Sequence, residues 1–270
     1  MMAIAERPAG TRFLRWLNTV PNNGLIRFSG ILNSEMLLLA SPKAIGEVLV
    51  QRAYDFEKPT GVRSLLRVVL GDGLVVTEGD VHKFQRKHIM PSFSFRSIRA
   101  LYPIFWSKAA ELHDVISAEV GADGKVIEIN GWANKVTMDV IGLATMGRNF
   151  GTMRHAGDEL IRDYETILEP TREKTLYFVV HTIFPRWFIR MWPWRLNQLL
   201  ANTMKSLNGI SLQLVKDKKE LVRREEKIEG GEDGDELPKG NVDILSSLIR
   251  SNDFNEEMLV DQMLTFLAAG

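Results

Sequence analysis

The sequence predicts a mainly α-helical fold with one small β-hairpin region near its beginning. Three observations predict it. Apolar residues recur at helical spacing through most of the 270 residues, a pair of short apolar runs split by polar residues lies before residue 40, and cap and breaker residues fall where helices would start and stop. With 45% hydrophobic residues the chain can fill a sizeable core. Its 34 basic and 34 acidic residues cancel, so no global field points to nucleic acid or to an anionic membrane. The absence of cysteine removes disulfides, thiolate metal sites and cysteine nucleophiles together. Glu6 and Arg7 stand where a signal peptide needs apolar residues, and no apolar run reaches the roughly 18 residues of a membrane span.

Taken in order, "TRFLRWLNT" (11–19) suits an amphipathic helix with Phe13, Leu14 and Leu17 on one side, broken by Pro21 and "NNG". "LIRFSGI" and "SEMLLLA" read as the hairpin. Ser41 before Pro42 is an N-cap with proline at the first helical position, and Ile45, Val48 and Leu49 form the expected buried stripe. "VRSLLRVVL" is a short apolar helix followed by the turn-rich "GDGLVVTEGD". From Asp80 onward the pattern is helical, interrupted by a strand candidate, "KVIEIN", at 125–130. Trp132, Val136, Val140 and Leu143 share a helix face that Gly147 closes, and Leu207, Ile210, Leu214 and Leu221 share another. A polar, glycine-rich loop at 229–240 precedes "VDILSSLIR", and Asp253 with Glu256 reads as a capping box for the last helix. That helix stops uncapped at "MLTFLAAG", the pattern expected of an interrupted element.

Phosphate loops, dinucleotide fingerprints and nucleophile elbows are absent, and no two of the five histidines sit at zinc-holding H-x-x-x-H spacing. The informative block is "GDGLVVTEGDVHKFQRKHIMPSFS" (71–94). His82 and Arg86, four apart, share a helix face and can reach one carboxylate or phosphate pair together; a solvated basic face is the plainer alternative.

The order G-x-G-L, E-G, His82 and Arg86 four apart, then "MPSFSF", resembles the C-helix region of the cytochrome P-450 heme-thiolate monooxygenases, fungal members especially. "GLIRFSGILNSEMLLLASPKAIGEVLVQRAYDFEKP" is similar to the family's first hairpin and B helix, and "DQMLTFLAAG" to the start of its I helix. The resemblance implies the N-terminal portion of that fold, one incomplete domain over 1–270. Residues 11–76 would be its hairpin and A/B-helix region, and 77–270 its helical region, running through the 229–240 loop to an interrupted I helix. In the family the oxygen-handling acid and threonine pair, the E-x-x-R motif and the heme-binding cysteine lie downstream of these stretches, and none of the 270 residues is a cysteine. The isolated chain is therefore expected to be inert, with no catalytic residue and no metal ligand of its own.

For a full-length parent the resemblance implies heme as cofactor, an apolar small-molecule substrate, O2, electrons from an NADPH-dependent reductase, and association with the endoplasmic reticulum membrane. His82 and Arg86 would hold the heme propionates, and Ala269 and Gly270 would let the last helix approach the macrocycle, where ordinary helix packing is the alternative. Val62, Leu65, Leu66 and Phe266 are candidate substrate contacts, each equally at home in a core. Lys83, Lys87 and His88 would add to a basic docking patch for the reductase, or are simply solvated charge. In 177–195, aromatic residues alternate with Arg186, Arg190 and Arg195, which suits either a membrane surface or a buried helix hairpin. A different class of function, a non-catalytic helical protein binding a lipid or a partner, uses the same aromatic segment.

Overall fold

A computed structural model describes residues 10–30, 33–121, 124–154, 159–168, 171, 173–174, 176–177, 180, 195–229 and 243–269. Residues 230–240 of the predicted 229–240 loop and the body of the 177–195 aromatic segment lie outside the described residues, as does Gly270. The chain forms two compact units, Met1–Lys58 and Pro59–Gly270.

In the first unit, Gly10 at φ +88° turns the chain into α1 (Thr11–Thr19). Phe13 and Trp16, one turn apart, pack on Phe28 of β1 (Leu25–Ser29), with ring centroids 5.7 and 5.3 Å away. Aromatic contact thus selects a different face from the predicted one: Leu14 and Leu17 are exposed. β1 pairs antiparallel with β2 (Glu35–Leu39), Leu25 opposite Leu39 and Ser29 opposite Glu35, as the sequence predicts. Ser41 caps α2 (Pro42–Gly46), its Oγ accepting the Ala44 N–H at 3.2 Å. The helix then widens into a π turn, Glu47–Gln51, which changes the rotation per residue. The expected stripe is lost there, leaving Ile45 and Leu49 exposed and Val48 half-buried.

The second unit is helical among its described residues. α3 (Thr60–Leu70) and α4 (Gly79–Ile89) flank a glycine-rich turn, and a 3-10 turn leads into α5 (Phe95–Val120), capped by Ser94. The strand predicted at 125–130 is absent. Glu128 instead accepts the Asn130 N–H at 2.9 Å and caps α6 (Ile129–Ile141), while Val126 is 92% exposed with no strand beside it. α6 passes through a π turn, Gly142–Met146, and ends at Gly147, where φ is +67°. α7 (Glu159–Leu168), α8 (Arg195–Glu229), α9 (Ile244–Ser251) and α10 (Glu256–Ala269) complete the unit.

α10 is the centre of the core. Leu259, Val260, Met263, Leu264 and Leu267 are all buried, and full burial of one such side chain is worth about 1.5–3 kcal/mol. α8 packs across α10 and α7 with Leu196, Leu200, Met204, Leu207, Val215 and Val222 buried. Of the predicted stripe, Leu207 is buried, Ile210 and Leu214 flank the core and Leu221 is exposed. The true stripe runs through two polar residues, Ser211 and Lys218, and Lys218 is buried because it meets Asp243 at 2.7 Å. Asp243 also caps α9 through the Ser246 N–H at 2.9 Å. The cap of α10 is Asn255, which accepts the Met258 N–H at 2.8 Å, rather than the predicted Asp253. Asp253 instead faces His88 of α4 at 3.6 Å.

Candidate ligand pocket

α3 and α10 pack against each other, and beside their contact opens a cavity of about 480 Å³. One face of α3 supplies Leu65, Leu66, Val69 and Leu70, and the following turn supplies Val75. α10 contributes Thr265, Ala268 and Ala269, spaced as neighbours on a helix face, and α8 contributes Leu196 and Leu200 one turn apart. Lys174 and Tyr177 bring the few polar groups; the Tyr177 hydroxyl is fixed by donating to Asn197 Oδ1 at 2.8 Å. A concave, mostly apolar space of this size suits a small molecule with little polarity.

The α3 wall is tied to α10 by the turn at 71–74. Arg67 grips the Asp72 carboxylate at 2.6 Å, the Asp72 N–H donates to Asp261 Oδ2 at 2.9 Å, and the Leu74 N–H donates to Gln262 Oε1 at 3.1 Å. Gln85, 1% exposed on α4, donates to the Asp72 carbonyl at 2.8 Å and accepts the Thr77 hydroxyl at 2.9 Å. Gly71, at φ +61°, and Gly73 lie so close to α10 that a Cβ on the first would overlap the Asp261 carboxylate and a Cβ on the second the Thr265 hydroxyl. Burial pushes Asp261 up to about 6; the Asp72 N–H opposes the shift, and the charges of Asp72 and Glu257 add to it.

The predicted site residues separate into two groups. Leu65, Leu66 and Ala269 are brought together around the cavity, whereas Val62 is half-buried on α3 away from the lining, and Phe266 packs with Phe93 at 6.1 Å between ring centroids. His82 and Arg86 are one turn apart on α4; His82 is half-buried, and Arg86 is exposed with no ion pair to a described residue. Neither lines the cavity, and α4 reaches α10 through the Gln85–Asp72–Asp261 chain. Lys83 pairs with Asp80 at 3.1 Å. Sequence reasoning missed Thr265, which helical spacing from Ala269 gives, and Ala268, which follows from Thr265 in turn, and also Lys174, Tyr177, Leu196 and Leu200, for which no local signal exists. Among the described residues no helix is long and apolar enough to cross a membrane, and no cluster of acidic or histidine side chains could hold a metal ion.

The cytochrome P450 family profile matches residues 27–270. The chain is 33% identical to the cytochrome P450 monooxygenase sphH of Aspergillus fumigatus over 94% of its own length and 46% of that protein's. It is 33% identical to FUM15 of Gibberella moniliformis over 100% and 45%, and 36% identical to buaD of Petromyces alliaceus over 92% and 44%, both also cytochrome P450 monooxygenases. The chain thus spans about half the length of the curated relatives it matches. With that match running from the hairpin through the pocket helices, the chain belongs to the cytochrome P450 family.

Proposed function

We propose that these residues form the substrate-side portion of a heme-thiolate monooxygenase that oxidises an apolar small molecule with O2 and electrons from an NADPH-dependent reductase. The observation that carries this reading is the apolar cavity walled by α3 and by the alanine face of α10, in a chain of this family. Leu65, Leu66, Val69 and Leu70 would hold an apolar substrate and exclude water from it. Ala268 and Ala269 present side chains small enough for a flat macrocycle to approach the helix. Arg86, exposed and without an ion pair among the described residues, suits a heme propionate, with His82 beside it.

When bound, a heme would supply oxygen activation, which in heme-thiolate proteins depends on a cysteine thiolate. The walls and the propionate contacts fit that group. A thiolate to hold its iron is not among these 270 residues, which contain no cysteine. The chain by itself is proposed to be inactive. Contact of 177–195 with the endoplasmic reticulum membrane is supported by its interleaved aromatic and arginine residues. A second reading, non-catalytic binding of a lipid or an apolar partner, is favoured by the apolar lining of the same cavity.

Heme titration followed by absorbance tests the proposal. Arg86→Ala is expected to weaken uptake by roughly ten- to a hundredfold, the loss of a charge-assisted contact worth about 1.5–3 kcal/mol. Equal uptake by both proteins would sink the propionate role, and tight lipid binding without heme uptake would favour the second reading.

A further inference from the structure

The joint between the 71–74 turn and α10 is built to hold a position. Its hydrogen bonds come from three elements: Asp261 and Gln262 of α10 hold the amides of Asp72 and Leu74, Gln85 of α4 holds the Asp72 carbonyl, and Arg67 of α3 holds the Asp72 carboxylate. Gly71 and Gly73 allow the backbone to lie directly against α10. Yet the joint is incompletely satisfied, since Gln262 Nε2 and Thr265 Oγ1 are buried and find no partner among the described residues. Unpaired buried polar atoms cost stability, so apolar packing would make a stronger contact here. What the polar joint provides instead is a fixed backbone register.

That register bears on the cavity. The turn connects the α3 lining, Leu65 to Leu70, with Val75, and Asp261 and Gln262 stand one to two helical turns before Thr265, Ala268 and Ala269 on α10. Neither Asp261 nor Gln262 lines the cavity itself.

We propose that Asp261 and Gln262 are positioning residues: by holding the Asp72 and Leu74 amides they fix the spacing of the α3 and α10 walls and so set the size of apolar ligand that the cavity admits. The inference rests on the reading of this cavity as a ligand site, and its test separates the two. Residue-resolved amide exchange reports the joint, and the affinities of two fluorophores of different bulk, phenylnaphthylamine and pyrene, report the cavity. In the full chain, Asp261→Ala and Gln262→Leu are expected to speed exchange at Asp72 and Leu74 by about tenfold each, the loss of one buried hydrogen bond, with α8 amides still protected. The same variants are expected to change the ratio of the two affinities by several-fold. Asp261→Asn, which keeps an acceptor oxygen, restores both readouts to wild type.

Unchanged exchange at the two amides overturns the proposal, and so does faster exchange with an unchanged affinity ratio. A wild type with protected amides that binds neither fluorophore brings down the cavity reading, and the positioning role with it, while leaving the joint itself intact. Should Asp261→Ala lose its α8 protection as well, Gln262→Leu decides alone, with unchanged Leu74 exchange as the contrary result.

Discussion

Two buried polar clusters in the second unit solve opposite problems. Between α5 and α6, Lys108 is 4% exposed and spends its three N–H groups on Glu111 at 2.8 Å, Asn149 at 2.9 Å and Asp139 at 3.3 Å. Asp139, fully buried, uses its other oxygen for the Thr152 amide and hydroxyl at 2.8 and 2.9 Å, and Arg154 closes the set on Glu111 at 2.6 Å. Lys108 holds the Glu111 carboxyl below the usual range. At the joint of α10 with the 71–74 turn, by contrast, Asp261 is pushed up by burial beside two other carboxylates, and two polar atoms go unpaired. The saturated cluster pins helices and contributes no residue to the cavity lining, whereas the unsaturated one stands at the edge of the cavity. A buried charge whose partners are complete reads as architecture, and polar groups left short of partners beside a cavity read as a site.

The contrast is broken first at Asp139. Asp139→Ala leaves the Lys108 ammonium buried without its deepest partner, and removing one side of such a pair costs about 3–5 kcal/mol. The midpoint of urea unfolding should fall steeply while affinity for an apolar probe, measured where the variant is folded, stays put. A midpoint close to wild type would mean that the cluster is solvated and the comparison false.

Gly71→Ala strikes the other cluster with a smaller effect. Its φ of +61° strains an alanine, and the new Cβ meets the Asp261 carboxylate, so a loss of about 1–3 kcal/mol is expected together with weaker probe binding. Retention of both stability and binding would show that the turn does not lie against α10.

The smallest effect is in pH. Asp261 has a folded-state pKa of about 6, above the unfolded value, so it binds more protons folded than unfolded between roughly pH 4 and 6. Its contribution to stability is therefore fully present below that window, is lost as pH rises through it, and is flat above. Because the group is only partly buried, solvent screening makes the slope shallow. Comparing unfolding midpoints across the window, Asp261→Asn should remove this part of the slope, and an identical slope in both proteins would remove Asp261 from the account.

Much of this fold was legible locally. The Ser41–Pro42 cap, the hairpin and the long helices follow from short-range signals, and all are present. Two of the misreadings share a cause, which is that the outcome is decided by partners outside the local pattern. Lys218 lies on the buried stripe of α8 only because Asp243 waits for it, and a search for apolar spacing passes over it in favour of the exposed Leu221. "KVIEIN" alternates like a strand but has none to pair with among the described residues, and the Glu128 carboxylate caps a helix there instead. Among the residues lining the cavity, Leu65, Leu66 and Ala269 are ones the resemblance singles out, while Leu196 and Leu200 come from the fold of α8 back across α10.

The central claim, that the space between α3 and α10 takes an apolar ligand, is tested most directly by a phenylnaphthylamine fluorescence titration of the wild-type chain beside Ala268→Trp. An indole at Ala268 occupies the cavity from the α10 wall. The expected result is saturable binding to the wild type, weakened about tenfold or more in the variant by steric overlap, with the helical circular dichroism signal unchanged. Equal affinity in the two proteins would place the ligand elsewhere and contradict the account.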